Sequence, residues 1–313
     1  FYDANSTFDA TSGIINFTDN GSIKVASSVT SFGTLSISEG TVIYDGVNQT
    51  LKNDSYHNLQ ISNSGIKTVT SANTIYGNLI IDNGSSLTCS SSSSDLTLDG
   101  GSFINNGGVL NLDAADLKFI GGNNVTCGAI SSNYTGNLII EKSSSSNTVT
   151  TTGNMSLNRV YFNEGVLLVD GETITTDYLN YLYEGGSLNI TSGLFYSNYS
   201  GAFYVYGGTL DIDGGEVRIG NPASHSSSDI YASSSYSSSL VDISGGSLNI
   251  CDEFDFRRGT FNMTGGSMSV FCHTTSSNGS AADKFYMTNA DLNLSGGIIT
   301  FHGESTSSVS YDA

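Results

Sequence analysis

The chain has 313 residues with a charged fraction of only 12%, 37 glycines, one proline, no tryptophan and a formal net charge of −19. That charge excludes nucleic acid as a partner, because neutralising a phosphate backbone needs clustered Lys and Arg. No run of eighteen apolar residues occurs, so no membrane-spanning helix is expected; Ser, Thr, Asn and Gly set between short apolar pairs predict strands and polar turns instead of helix.

Residues 1–31 contain short alternating apolar pieces, Ile14 to Phe17 and Ile23 to Val25, split by Asn and Gly turns, and read as a first coil or cap. The chain begins at Phe1 with no basic and apolar leader, as expected of a mature exported chain or a fragment. The pattern proper opens at Leu35, where TLSISEGTVIY puts Leu35, Ile37, Val42 and Tyr44 on one side and turns at Ser38, Glu39 and Gly40.

From Gly40 to Leu87 come a Tyr followed by Asp-Gly (Tyr44 to Gly46), Asn48-Gln49-Thr50, the segment Tyr56 to Leu59 ahead of alternating apolar residues, and Gly77-Asn78-Leu79 opening the next strand. This stretch resembles repeat modules of secreted microbial cell-surface β-solenoid proteins of the adhesin and sheath type. The resemblance implies an exported parallel β-helix.

The next copies are LTLDGGSFIN from Leu96 and LNLDAADLKF from Leu110. Ala114-Ala115 stand in the second where glycines usually stand, which predicts an ordinary right-handed or extended backbone at that corner. Ser90 to Ser94, Gly121 to Ser132 (with Cys127) and Ser143 to Ser146 read as loops, with Leu138 and Ile140 resuming the pattern between the last two.

VYFNEGVLLV from Val160, YLYEGGSLNI from Tyr181 and FYVYGGTLDI from Phe203 then repeat at intervals of 21 and 22 residues. Overlapping them are five copies of a strand, glycine turn and strand, from Leu188 to Phe301. Their first core position is Leu188, Leu210, Val241, Phe261 and Leu292, and the second is Ile190, Ile212, Ile243, Met263 and Leu294. Between these always sits an Asx residue: Asn189, Asp211, Asp242, Asn262 and Asn293. The copies are 22, 31, 20 and 31 residues apart, so a coil of about 21 residues sometimes carries an extra loop of about 10. Pro222 to Ser239 and His273 to Lys284 are expected as such loops.

The fold class is therefore all-β: a single-stranded parallel β-solenoid with roughly triangular coils of about 20–22 residues and Ser-rich insertions. About twelve coils are expected in one elongated domain, with residues 32–180 irregular, 181–301 most regular and 302–313 a tail.

Few residues point to chemistry. Four cysteines, Cys89, Cys127, Cys251 and Cys272, suit an oxidising compartment, and Cys251 with Cys272 or Cys89 with Cys127 are candidate disulfides. Asp211 and Asp213 sit two apart like a glycosidase pair, but the repeat makes Asp211 one rung of an outward Asx ladder. The densest charge cluster, Asp252, Glu253, Asp255, Arg257 and Arg258, is where a lyase base would be sought; Phe254 and Phe256 turning inward would leave those charges in water. His57, His225, His273 and His302 have no metal-spaced partners. No cofactor is expected, calcium being suggested by net charge alone. Asn-x-Ser/Thr sequons such as Asn5, Asn16, Asn20, Asn124, Asn133, Asn198 and Asn278 are what an Asn- and Ser-rich chain produces by chance. Tyrosines crowd residues 178–206; register predicts Tyr181 and Tyr183 inward, and Tyr196, Tyr204 and Tyr206 outward as a contact surface, together with the Asx ladder.

The leading expectation is a non-enzymatic structural protein of the extracellular or cell-envelope surface. It would assemble with copies of itself into a sheath, layer or fibre through its flat faces and open edges. An adhesin stalk binding cell-wall or host glycans is the second reading, and a polysaccharide lyase or hydrolase on a β-helix the third.

Overall fold

A computed structural model describes residues 7–52, 55–131, 136–198, 203–221, 229–270, 284–302 and 308–312. Among them there is no helix, and short parallel strands stack into a β-solenoid of about 11 turns. The chain divides into two compact units, residues 1–139 with 152–157 and residues 140–151 with 158–313.

In the first unit each turn lays strands on three faces. One holds Ser22–Val25, Thr41–Tyr44, Asn58–Ile61, Leu79–Ile81 and Phe103–Asn105, paired in that order. A second holds Gln49–Thr50, Gly65–Val69, Ser85–Cys89 and Val109–Asn111, and the third Asn73–Ile75, Leu96–Asp99 and Asp116–Ile120. The cause is the period-two alternation: Leu59 and Ile61, Leu79 and Ile81, Leu96 and Leu98, and Leu117 and Phe119 are fully buried. Each such side chain contributes roughly 1.5–3 kcal/mol by leaving water. Gly40 turns a corner at φ 92°, where a Cβ would stand 2.1 Å from the Phe17 ring, so no other residue fits. At the Ala114-Ala115 corner the left-handed conformation falls instead on Asp113, at φ 50°, leaving the alanines ordinary as expected.

The second unit repeats the arrangement with longer strands. Gly186–Ser197 bends across a corner, its first half pairing with Thr209–Ile212 and its second with Glu216–Ile219. The third face of this unit carries Asn180–Tyr183, Phe203–Tyr206, Ile230–Ala232, Phe254–Phe256, Lys284–Thr288 and Ser308–Asp312. The first and second core positions of the copies align on one face, Leu188 with Leu210, Val241, Phe261 and Leu292.

Several sequence expectations fail here. Gly121 to Ser132 is not a loop throughout, since Val125–Cys127 and Ile130–Ser131 are rungs; nor is Pro222 to Ser239, where Ile230–Ala232 forms a strand hidden by flanking serines. Ile37 is exposed, and so is Leu294, a predicted core position, together with Ile298 and Phe301. Cys89 and Cys127 are free, buried thiols, not a bridge: they lie on strands of different faces, because 38 residues is not a whole number of coils. Cys251 is buried, while Cys272, His225, His273, Pro222, Asn5, Asn133 and Asn278 lie outside the described residues.

Candidate functional site

The most distinctive surface is a column of tyrosines on the face built from Asn180–Tyr183, Phe203–Tyr206 and Ile230–Ala232. Tyr161 pairs in register with Tyr181, Tyr181 with Tyr204, and Tyr204 with Tyr231. Beside it Tyr183 pairs with Tyr206, and Tyr236 lies against Tyr206 with ring centroids 5.3 Å apart. Tyr204 and Tyr206 point outward as expected. Tyr181 and Tyr183 do too, contrary to the inward placement read from the repeat.

The reason is Asn180. Its side chain is wholly buried, accepts from the Val160 amide at 2.8 Å and donates to Thr176 Oγ1 at 2.8 Å and Ser197 Oγ at 3.2 Å. A fully bonded amide occupies a core position that hydrophobic patterning leaves unassigned, and alternation then turns both neighbouring rings out.

The rings pack on one another: Tyr161 on Tyr181 at 5.6 Å and 6°, Tyr181 on Tyr183 at 5.8 Å and 5°, and Tyr181 on Tyr204 at 5.2 Å and 14°. Ring faces are thus turned to each other, and what the surface offers is ring edges and phenol hydroxyls. Burial, then the neighbouring phenols, raises the pKa of Tyr183 and Tyr204, and carries that of Tyr206 to about 12, so these hydroxyls stay neutral donors. Cations flank the column. Arg159 donates to Tyr161 Oη at 2.9 Å and lies 4.6 Å from the Tyr178 ring centre; Arg257 lies 5.2 Å from that of Tyr231.

Arg257 also grips Asp255 through Nε and Nη2 at 3.0 and 2.7 Å. Asp255 is only 6% exposed, its carboxylate covered by the guanidinium, so at this one residue the expectation of charges in water fails; Phe254 and Phe256 turn inward, Asp252 and Glu253 are half-exposed and Arg257 and Arg258 exposed, as expected. Its bonds to Asp255 raise the ionisation of Arg257 further, the reverse of what a base needs. Tyr196, on the strand Gly186–Ser197, faces out on another face beneath Arg218 and donates to Asn198 Oδ1 at 2.6 Å.

The Asx ladder is present in full register: Asn189, Asp211, Asp242, Asn262 and Asn293 stack rung on rung. Asn189 Nδ2 donates to Asp211 at 3.1 Å and Asn293 Nδ2 to Asn262 at 2.9 Å. Between them two carboxylates adjoin. Burial, then Asp213 and Asp242, raises Asp211 to about 6. Asp213 lies beyond the strand end, exposed, and accepts from Ser244 Oγ at 2.7 Å. His57 sits at a bend with Nδ1 3.2 Å from the Ile37 carbonyl, and among the described residues no three His, Cys, Asp or Glu converge on a metal position.

No family model and no curated protein matches the sequence. A crystal structure of a TibA fragment, hyper-glycosylated by TibC, is similar over 98% of each chain at 16% identity, with a TM-score of 0.35. At that level it adds nothing to the fold already described.

Proposed function

We propose that this chain is a non-catalytic scaffold of an extracellular surface that acts by adhesion, its tyrosine face being the contact for a neutral glycan polymer. The observation that carries the reading is the register-locked column of Tyr161, Tyr181, Tyr204 and Tyr231. Hydroxyls recurring at about one strand spacing, roughly 4.8 Å, suit a partner that itself repeats. Tyrosine supplies large, rigid, amphipathic contact area at small entropic cost. The column's own side chains are neutral phenols, and at its Tyr231 end Asp255 is paired with Arg257, which favours a neutral polymer. Co-sedimentation with insoluble neutral polysaccharides and a glycan array test it. Changing Tyr204 and Tyr206 to Ala abolishes binding, and undiminished binding by that variant removes the reading.

Self-assembly into a sheath or fibre is the second reading. The exposed apolar side chains Leu294, Ile298 and Phe301 favour it, as does an Asx column that a neighbouring copy's amides would complement. Negative-stain microscopy and sedimentation decide: polymers support it, and a monomer at high concentration ends it.

A further inference from the structure

We propose a second binding site, in the first unit, for a carboxylate-bearing sugar. It rests on a break in the strand ladder and is independent of the tyrosine face. Ser28–Ser31 pairs with Thr7–Asp9, and Gln49–Thr50 pairs with Gly65–Val69, yet these two sheets do not join, although Ser22–Val25 and Thr41–Tyr44 of the same turns are fully paired. The backbone ladder ends at the bond from the Asp45 amide to the Val25 carbonyl. Across the corner the Gln49 side chain takes over: Nε2 donates to the Val25 and Ser27 carbonyls at 3.0 and 2.8 Å, and Oε1 accepts from the Gly46 amide at 2.6 Å.

The split leaves a cavity of about 490 Å³, inside the roughly 300–1,000 Å³ of small-molecule sites. Ser27, only 4% exposed, lines it, and its buried Oγ has no hydrogen-bond partner. A buried hydroxyl without a partner is costly, and a turn of the Ser27 side chain toward the cavity brings it to a ligand there. Asn48 commits its Oδ1 to the Ile66 amide, so its amide NH₂ is turned to donation; Thr50 adds a hydroxyl and Val47 an apolar wall. Lys52 stands among the lining residues, and among the described residues its ammonium makes no ion pair; Asp9, held low chiefly by bonds from Thr11, feels the Lys52 charge only in last place.

None of the lining residues is acidic, in a chain with 29 Asp and Glu against 10 Lys and Arg. Hydroxyl and amide donors around one cation match a polyhydroxylated ligand carrying one carboxylate. An inserted peptide strand does not fit: the two strands approach within 8 Å, whereas a third between them needs roughly two strand spacings, about 9.6 Å.

Calorimetric titration of the full chain with glucuronate tests this, with glucose and acetate as separate arms. Saturable glucuronate binding is expected, about tenfold weaker in Lys52→Met and in Ser27→Val and retained in Lys52→Arg, with glucose about tenfold weaker than glucuronate. The variants' melting temperatures report that they remain folded. Absence of glucuronate binding, equal affinity in Lys52→Met, or acetate binding as tightly as glucuronate overturns the proposal.

Discussion

Two faces of the second unit are built by the same device and reach opposite energetic outcomes. On the tyrosine face, stacking identical side chains in register gains ring contact at every rung, each aromatic pair being worth about 0.5–1.5 kcal/mol. On the Asx face the same stacking sets Asp211 against Asp242, where repetition costs energy, and the Asn189 amide offsets it only at Asp211. A repeat therefore amplifies whatever one rung does, favourable or not.

The comparison is broken most severely from inside. Phe254 is fully buried behind the tyrosine face, 5.6 Å from Phe261 and 5.1 Å from Phe285. Phe254→Ala is expected to cost about 3–5 kcal/mol in urea denaturation. On the surface, Tyr204→Ala removes stacking on Tyr181 and edge contact with Tyr231, for a loss of about 1–2 kcal/mol. Tyr204→Phe keeps the ring and changes stability by less than about 0.5 kcal/mol; a loss equal to that of the alanine variant would show that the hydroxyl, not the stack, carries the energy.

On the Asx face the sign reverses. Asp211 binds its proton more tightly when folded, near pH 6, than at the 3.8 of an ordinary aspartate, so its contribution is fully present below pH 3.8 and lost as pH rises through about 6. Asp211→Asn therefore raises the unfolding free energy at pH 8, by roughly 1 kcal/mol after discounting for partial exposure, and the gain vanishes below pH 4. A gain independent of pH would deny the carboxylate pair its role. The smallest effect is that of Asn262→Asp, which still accepts from Asn293 but adds a charge beside Asp242. A loss of about 0.5 kcal/mol is expected, recovered in 1 M salt as the charges are screened.

Much of the fold was legible because glycine turns and the apolar-Asx-apolar pattern record two local necessities, a left-handed corner that glycine makes at least cost and a period-two burial. The register of the Asx ladder followed directly. What escaped were positions where polar side chains take core places: Asn180, whose four bonds reversed Tyr181 and Tyr183; Gln49, which replaces a stretch of ladder; and Lys67. Lys67 is fully buried, its ammonium capped by the carbonyls of Asn63 and Ser64 at 3.0 and 3.2 Å, and burial lowers its ionisation. Residue type alone reads these as surface, since their partners meet them only in the folded chain: carbonyls of the preceding coil for Gln49, groups of both neighbouring coils for Asn180, and the carbonyls of a tight local turn for Lys67.

The two unbridged thiols of the first unit have a practical consequence. Burial raises the pKa of Cys89 to about 12 and that of Cys127 as well, so neither is a thiolate at neutral pH, and both side chains are fully enclosed. An alkylating reagent can reach them only when the strands Ser85–Cys89 and Val125–Cys127 part. Their labelling rate, followed by mass spectrometry, is therefore a clock for local opening of that unit, already installed in the native chain.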